Sequence, residues 1–344
     1  MGVGISLAPL AGEVARLGGV GTVSTAALAD LISLREGHAF TPFEAAAHEM
    51  RAARRLADAG YLAANVMCAA ATTYADSVQG AVAGGADAIV SGAGLPVDLP
   101  FLLADAPEVA LIPIVSSVRA LRILVKQWRR RGAPRLADAV VVEGPLAGGH
   151  LGFKVEELEA EDNRLENLVP PVLEYVHAEL AGVPVIAAGG IYSRDDVDFY
   201  LDMGCAGVQM GTRFLATVES SATPEFKQAL VETTCEEIAL AQPASPCGYP
   251  FRITTRSPRA RAPKAKNPCR HRYLVDPEGR CKANTEPDRY ACLCNSLLSS
   301  AGVLDDDGGL YSTGANGWRV DRVMTVREVF ADLGLVAEPL PASH

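Results

Sequence analysis

The sequence predicts an α/β protein built as a (β/α)8 TIM barrel that lacks its first strand and carries an irregular, partly helical C-terminal extension. Three observations predict it. Short apolar strands alternate strictly with amphipathic helices over residues 1–240, and connections too short for antiparallel return imply a parallel sheet with right-handed crossovers. The central strand has no polar face: residues 139–142 (AVVV) are apolar throughout with three β-branched side chains, as in strands buried on both sides. Glycine-rich loops follow the late strands, whereas no GxGxxG opens the first strand–helix turn, so a closed barrel is preferred to a doubly wound open sheet.

The elements follow in order from local signals. Residues 7–17 repeat apolar side chains at helical spacing and stop at Gly18-Gly19; no strand precedes them. A strand at 21–24 and a polar connection lead to Thr41-Pro42-Phe43-Glu44, which supplies N-cap, N1 proline and N3 glutamate to a helix ending at Gly60. Strands at 62–66, 88–91 and 110–115 alternate with helices at 74–83, 99–103 and 117–131. After the 139–142 strand come a helix at 165–180, a strand at 184–188, a helix capped by Ser193, a strand at 207–210 and a helix over 224–239. This gives seven strands and eight helices. The missing strand predicts that the chain as read starts one strand late, with Gly2 and Gly4 continuing a turn near a ligand; the chain would then express poorly or without that ligand, and an upstream in-frame start would restore a strand of about five apolar residues ending in glycine.

Residues 241–344 form the extension. Prolines at 243, 246, 250, 258, 263 and 268 disfavour a long helix before about residue 290, and a final helix spans 325–333. Residues 252–272 carry eight Arg or Lys and no acid; a solvated basic loop is the first reading, a patch for phosphate or an acidic partner the second. The formal charge of −10 opposes general nucleic-acid binding, and no apolar run approaches the ~20 residues of a membrane span. Without a basic segment ahead of an apolar N-terminal run, the default location is the cytoplasm. Eight cysteines, five of them between 247 and 294, have spacings looser than a CxxC pair, so thiols are expected and no metal site is assigned.

The chemistry is expected at the carboxyl ends of the strands. Residues 143–152 (EGPLAGGHLG) place His150 among glycines, and Gly189-Gly190 and Gly211-Thr212 follow the next two strands, where many barrels build a phosphate site from bare amides. The segments NVM (65–67), SGAGLP (91–96), EGPLAGGHLG, AAGGI (187–191) and QMGTRF (209–214) together resemble the nitronate monooxygenase family, formerly 2-nitropropane dioxygenases, to about residue 239. The resemblance implies FMN-dependent oxidation of alkyl nitronates by dioxygen, with small-molecule substrate and dioxygen as partners and oligomerisation left open. It puts the FMN phosphate on Gly189, Gly190, Gly211 and Thr212 with Gln209 and Met210 at the approach. It also puts Asn65 and Gly148 against the flavin ring or ribityl chain, and makes His150 the catalytic base. Glu143 stands beside the flavin where many members have glutamine, which leaves substrate choice open. The related flavin-type enoyl-acyl-carrier-protein reductases, which use NAD(P)H, are the alternative; a flavin-free scaffold is a third reading that protein colour would exclude.

Overall fold

The computed structural model describes residues 2–242, 244–261, 274, 280–290, 292–304 and 308–336. Among these, the strands in chain order are β1 (Val20–Ser24), β2 (Tyr61–Met67), β3 (Ala88–Gly92), β4 (Ala110–Val115), β5 (Val140–Glu143), β6 (Gly149–His150), β7 (Val185–Ala188), β8 (Gly207–Gln209), β9 (Ile238–Leu240) and β10 (Phe251–Thr254). Seven of them form one curled sheet in the order β1-β2-β3-β4-β5-β7-β8, and every pair in it is parallel.

The period-2 rule sorts the side chains of this sheet into two cores. Ala63, Ala88, Val90, Ile112, Ala139, Val141 and Ala188 pack together inside the curl. Their neighbours Leu62, Ala64, Ile89, Leu111, Val140, Val142 and Ala187 join a larger core under the helices. The inner set is rich in alanine, which leaves space within the barrel. The outer set meets bulky helical partners such as Trp128, fully buried with its indole N–H donating to Pro96 O at 3.2 Å.

The capping signals act as read. Thr41 and Glu44 form a reciprocal capping box at the start of the helix Pro42–Leu56, Ser117 accepts from Ala120 N at 3.1 Å, and Ser193 and Asp196 close the first turn of Arg194–Asp202. Thr325 and Glu328 do the same for the final helix, Val326–Asp332.

The polar connection expected after β1 contains a helix, Leu28–Glu36, that buries Leu28, Leu31 and Ile32. Its N-cap is Ala27 in the left-handed region with no side-chain cap, so the usual start signal is absent. The helix expected over 224–239 stops at Val231, and residues 238–240 become β9, which pairs antiparallel with β10. Strand β10 in turn pairs with β6, Phe251 opposite His150 and Arg252 opposite Gly149. The glycine loop and the extension thus share a small antiparallel sheet that the sequence did not announce.

Strands β1 and β8 do not pair with each other among the described residues. The N-terminal segment crosses part of that gap: Ser24 N donates to Ser6 O at 2.8 Å, and Ser221 N donates to Ile5 O at 3.0 Å. Gly4 has φ +65°, and a Cβ there would come within 2.4 Å of Leu31 Cδ1 and 2.6 Å of Ala301 Cβ. Close packing on helix and extension therefore accounts for that glycine. Among the described residues, no helix is long and apolar enough to cross a membrane.

Candidate active site

A cavity of about 1550 Å³ runs through the barrel, from Val20, Pro184 and Gly207 at the amino ends of the strands to the loops at their carboxyl ends. All ten residues singled out from the sequence line it: Asn65, Glu143, Gly148, His150, Gly189, Gly190, Gln209, Met210, Gly211 and Thr212. Parallel strands bring this about, since each delivers its C-terminal residue and following loop to the same face.

Gly189 and Gly190 turn the chain sharply with φ +92° and +88°, a region that favours glycine. The amide N–H groups of Gly189, Gly190, Gly211 and Thr212 make no hydrogen bond among the described residues. Gly211 also has open space where a Cβ would stand, with no atom within 4 Å. Unspent donors around an open cradle are what an anionic group requires. Thr212 Oγ1 accepts from Gly314 N at 2.8 Å, which leaves its own hydroxyl hydrogen to donate.

The extension returns to the site here. Ala315 N donates to Leu146 O at 3.0 Å, and the Asn316 amide donates to Gly190 O. A Cβ on Gly148 would lie 2.6 Å from Gly314 N and from Thr313 C, so this glycine admits the crossing of 313–314. Arg252, expected to belong to a basic loop or patch, is instead half-buried and donates from Nη1 to Pro145 O at 2.5 Å and Ala147 O at 2.6 Å. Arg256 likewise pairs with Glu232 and Glu237 at 2.8 and 2.7 Å; residues 262–273 lie outside the described residues. Arg213 of the GTRF segment is buried, stacks on Tyr192 and pairs with Asp332, so it ties the β8 loop to the final helix.

His150 lies on β6. Its Nε2 is 2.8 Å from Ser245 Oγ, and Phe251 meets the ring edge-to-face at 4.8 Å. Burial pulls its pKa down to about 4, so the imidazole is neutral at neutral pH. Burial pushes Glu143 up to about 7, so near neutrality its carboxyl is divided between acid and anion. Asn65 Nδ2 donates to Val90 O at 3.2 Å and keeps its amide oxygen for the cavity.

Cys281, Cys292 and Cys294 pack with Leu274 beside Met67 and Cys247 at one wall. No group of three His, Cys, Asp or Glu among the described residues is placed to hold a metal ion, and Cys269 lies outside them. Ser245 and Arg252 carry no site motif in the sequence and are marked only by their positions in space, whereas the resemblance already implies a return of Gly314-Ala315-Asn316 to this site, and Gly314 and Asn316 line the cavity.

The sequence profile of the nitronate monooxygenase family matches residues 1–335. A nitronate monooxygenase of Pseudomonas aeruginosa is 36% identical over 148 residues, 39% of this chain and 41% of that protein. A probable nitronate monooxygenase of Bacillus subtilis is 39% identical over 95 residues, 28% of this chain and 26% of the relative. The match thus spans 41% and 26% of the length of these curated relatives. In fold, FabK from Thermotoga maritima superimposes with TM-score 0.68 at 22% identity, over 96% of this chain and 88% of that one. Nitroalkane oxidase from Streptomyces ansochromogenes does so with TM-score 0.67 at 21% identity, over 97% and 92%. Glycine loops, alternating strands and a profile match over nearly the whole length agree: the chain belongs to the nitronate monooxygenase family of flavin oxidoreductases.

Proposed function

We propose that this protein binds FMN and oxidises alkyl nitronates, and the nitroalkanes that yield them, with dioxygen. The observation that carries the cofactor half is the group of four unspent amides at Gly189, Gly190, Gly211 and Thr212, open on the Gly211 side. They suit a phosphate, with Gln209 and Met210 at the approach and Asn65 and Gly148 along the ring and ribityl chain. Bound there, FMN supplies the redox chemistry.

The protein's own residues handle charge and protons. A neutral His150 can take the proton from the carbon beside a nitro group, and the imidazolium then faces the anion it has made. Glu143, beside the ring, opposes added negative charge when ionised and does so less as its acid form. Ile112, Ile114 and Val141 give the cavity an apolar inner wall.

Replacing His150 with alanine should leave flavin bound but lower turnover of neutral nitroalkanes by roughly 10²–10⁴-fold, the usual size of a lost general base. Turnover of preformed nitronates should fall far less. Steady-state oxygen consumption on both substrates is the measurement, and equal losses would remove His150 as base. Rapid anaerobic bleaching by NADPH would instead favour the enoyl-reductase type of chemistry.

A further inference from the structure

His150 presents an unusual problem for a base: burial disfavours the very cation it must become. The structure surrounds it with a defined chain of hydrogen-bonding groups. Nε2 lies 2.8 Å from Ser245 Oγ, across 95 residues of sequence. Ser245 Oγ lies 3.0 Å from Cys247 Sγ. Ser245 is wholly buried, so no water competes for its hydroxyl, and Phe251 fixes the ring plane from the side. Nδ1 makes no hydrogen bond among the described residues.

A neutral imidazole carries hydrogen on one nitrogen and a lone pair on the other. With Nε2 committed to Ser245, Nδ1 is the ring nitrogen left for a molecule in the cavity. Two arrangements satisfy the distances. If Cys247 donates to Ser245 and Ser245 donates to Nε2, the hydrogen sits on Nδ1 and no lone pair faces the substrate. If Nε2–H donates to Ser245 and Ser245 donates to Cys247 Sγ, Nδ1 is bare.

We infer that Ser245 is a positioning residue that accepts the Nε2–H of His150, with Cys247 Sγ accepting the serine hydrogen, and so holds the tautomer whose Nδ1 removes the substrate proton. This rests on His150 being the base. In that step the C–H bond of the nitroalkane breaks, its electron pair stays on the substrate as the nitronate, and the proton bonds to Nδ1. The imidazolium keeps its Nε2–H on Ser245, which offsets part of the burial penalty. The same logic holds a histidine in serine hydrolases, where a carboxylate rather than a hydroxyl orients the ring.

The test is ¹⁵N NMR of histidine-labelled, flavin-loaded protein near pH 7.5, with His150 assigned among the six histidines by loss of its signals in His150→Gln. The expected spectrum shows a protonated Nε2 and an unprotonated Nδ1. Ser245→Ala should mix the tautomers and lower nitroalkane turnover roughly 10–100-fold, with preformed nitronate turnover nearly unchanged; Ser245→Thr should restore both tautomer and rate. A wild-type spectrum with hydrogen on Nδ1 overturns the inference without any variant, and so does Ser245→Ala with wild-type tautomer and rate. If His150→Ala keeps full nitroalkane turnover, the base assignment itself fails. If His150→Ala loses it and Ser245→Ala does not, only the role of Ser245 falls.

Discussion

Two glycine-rich regions meet at this site, and they are glycine for different reasons. In the loop after β5, a Cβ on Gly144 would press on Leu165 at 2.9 Å, one on Gly148 on the 313–314 backbone at 2.6 Å, and one on Gly152 on Ser116 Oγ at 2.1 Å. Those glycines admit other parts of the same chain. Gly211, after β8, faces nothing within 4 Å and has φ −123°, which any residue adopts. Packing against the described residues does not account for that glycine. Gly189 and Gly190 lie between the two cases, since positive φ and contacts with Gly144 and Leu146 already require glycine there. A glycine motif in a sequence therefore marks close approach without saying whether chain or ligand approaches.

The comparison can be broken most directly at Gly148. Gly148→Val must displace backbone at 313–314, so it should cost on the order of 1–3 kcal/mol of stability, as overpacking does. The melting temperature of flavin-free protein should fall by roughly 3–10 °C; an unchanged value would show that the crossing is not tight. Gly211→Val should do the converse. Flavin-free protein should melt as wild type does, while the FMN dissociation constant rises at least about tenfold, because the side chain fills the cradle. Full flavin content after purification of Gly211→Val would place the phosphate elsewhere.

A smaller effect separates loop chemistry from loop packing at Glu143. Its pKa is raised in the fold to about 7, so the unfolded chain gives up this proton at lower pH than the native one. The carboxylate thus costs stability progressively as pH rises from the ordinary carboxylate range through about 7, and costs nothing extra at acid pH. Glu143→Gln should match wild type near pH 5 and exceed it by on the order of 1–3 kcal/mol near pH 8.5. Urea melts of flavin-free protein at both pH values measure this; a difference that does not grow with pH would contradict it.

The parallel sheet was legible because short, mostly apolar runs alternate with helices, and because Val140-Val141-Val142 is buried on both faces and reads as an unbroken apolar run. The helix Leu28–Glu36 was not, because Ala27 gives no capping signal. Strand β6 is two residues long and β10 follows a run of prolines, so neither carries a periodic pattern; β6 exists because it pairs with β10, and β10 because it lies between β6 and β9. The site divides the same way. His150, the glycines and the 314–316 segment sit in recognisable segments, whereas Ser245 and Arg252 act through hydrogen bonds to residues 95 and 107 positions away. No local signal encodes such a partnership.

The pairing of β6 with β10 also sets an order of events during synthesis. The seven parallel strands end at Gln209, and each is adjacent in the sheet to the strand next to it in the main series, so the barrel wall can assemble from neighbouring segments as they leave the ribosome. His150 cannot be held until Phe251 and Ser245 have followed. The strand that carries His150 thus becomes ordered only after the strands of the wall have been made, and a nascent chain can pass through a stage in which the wall stands and this histidine is not yet held.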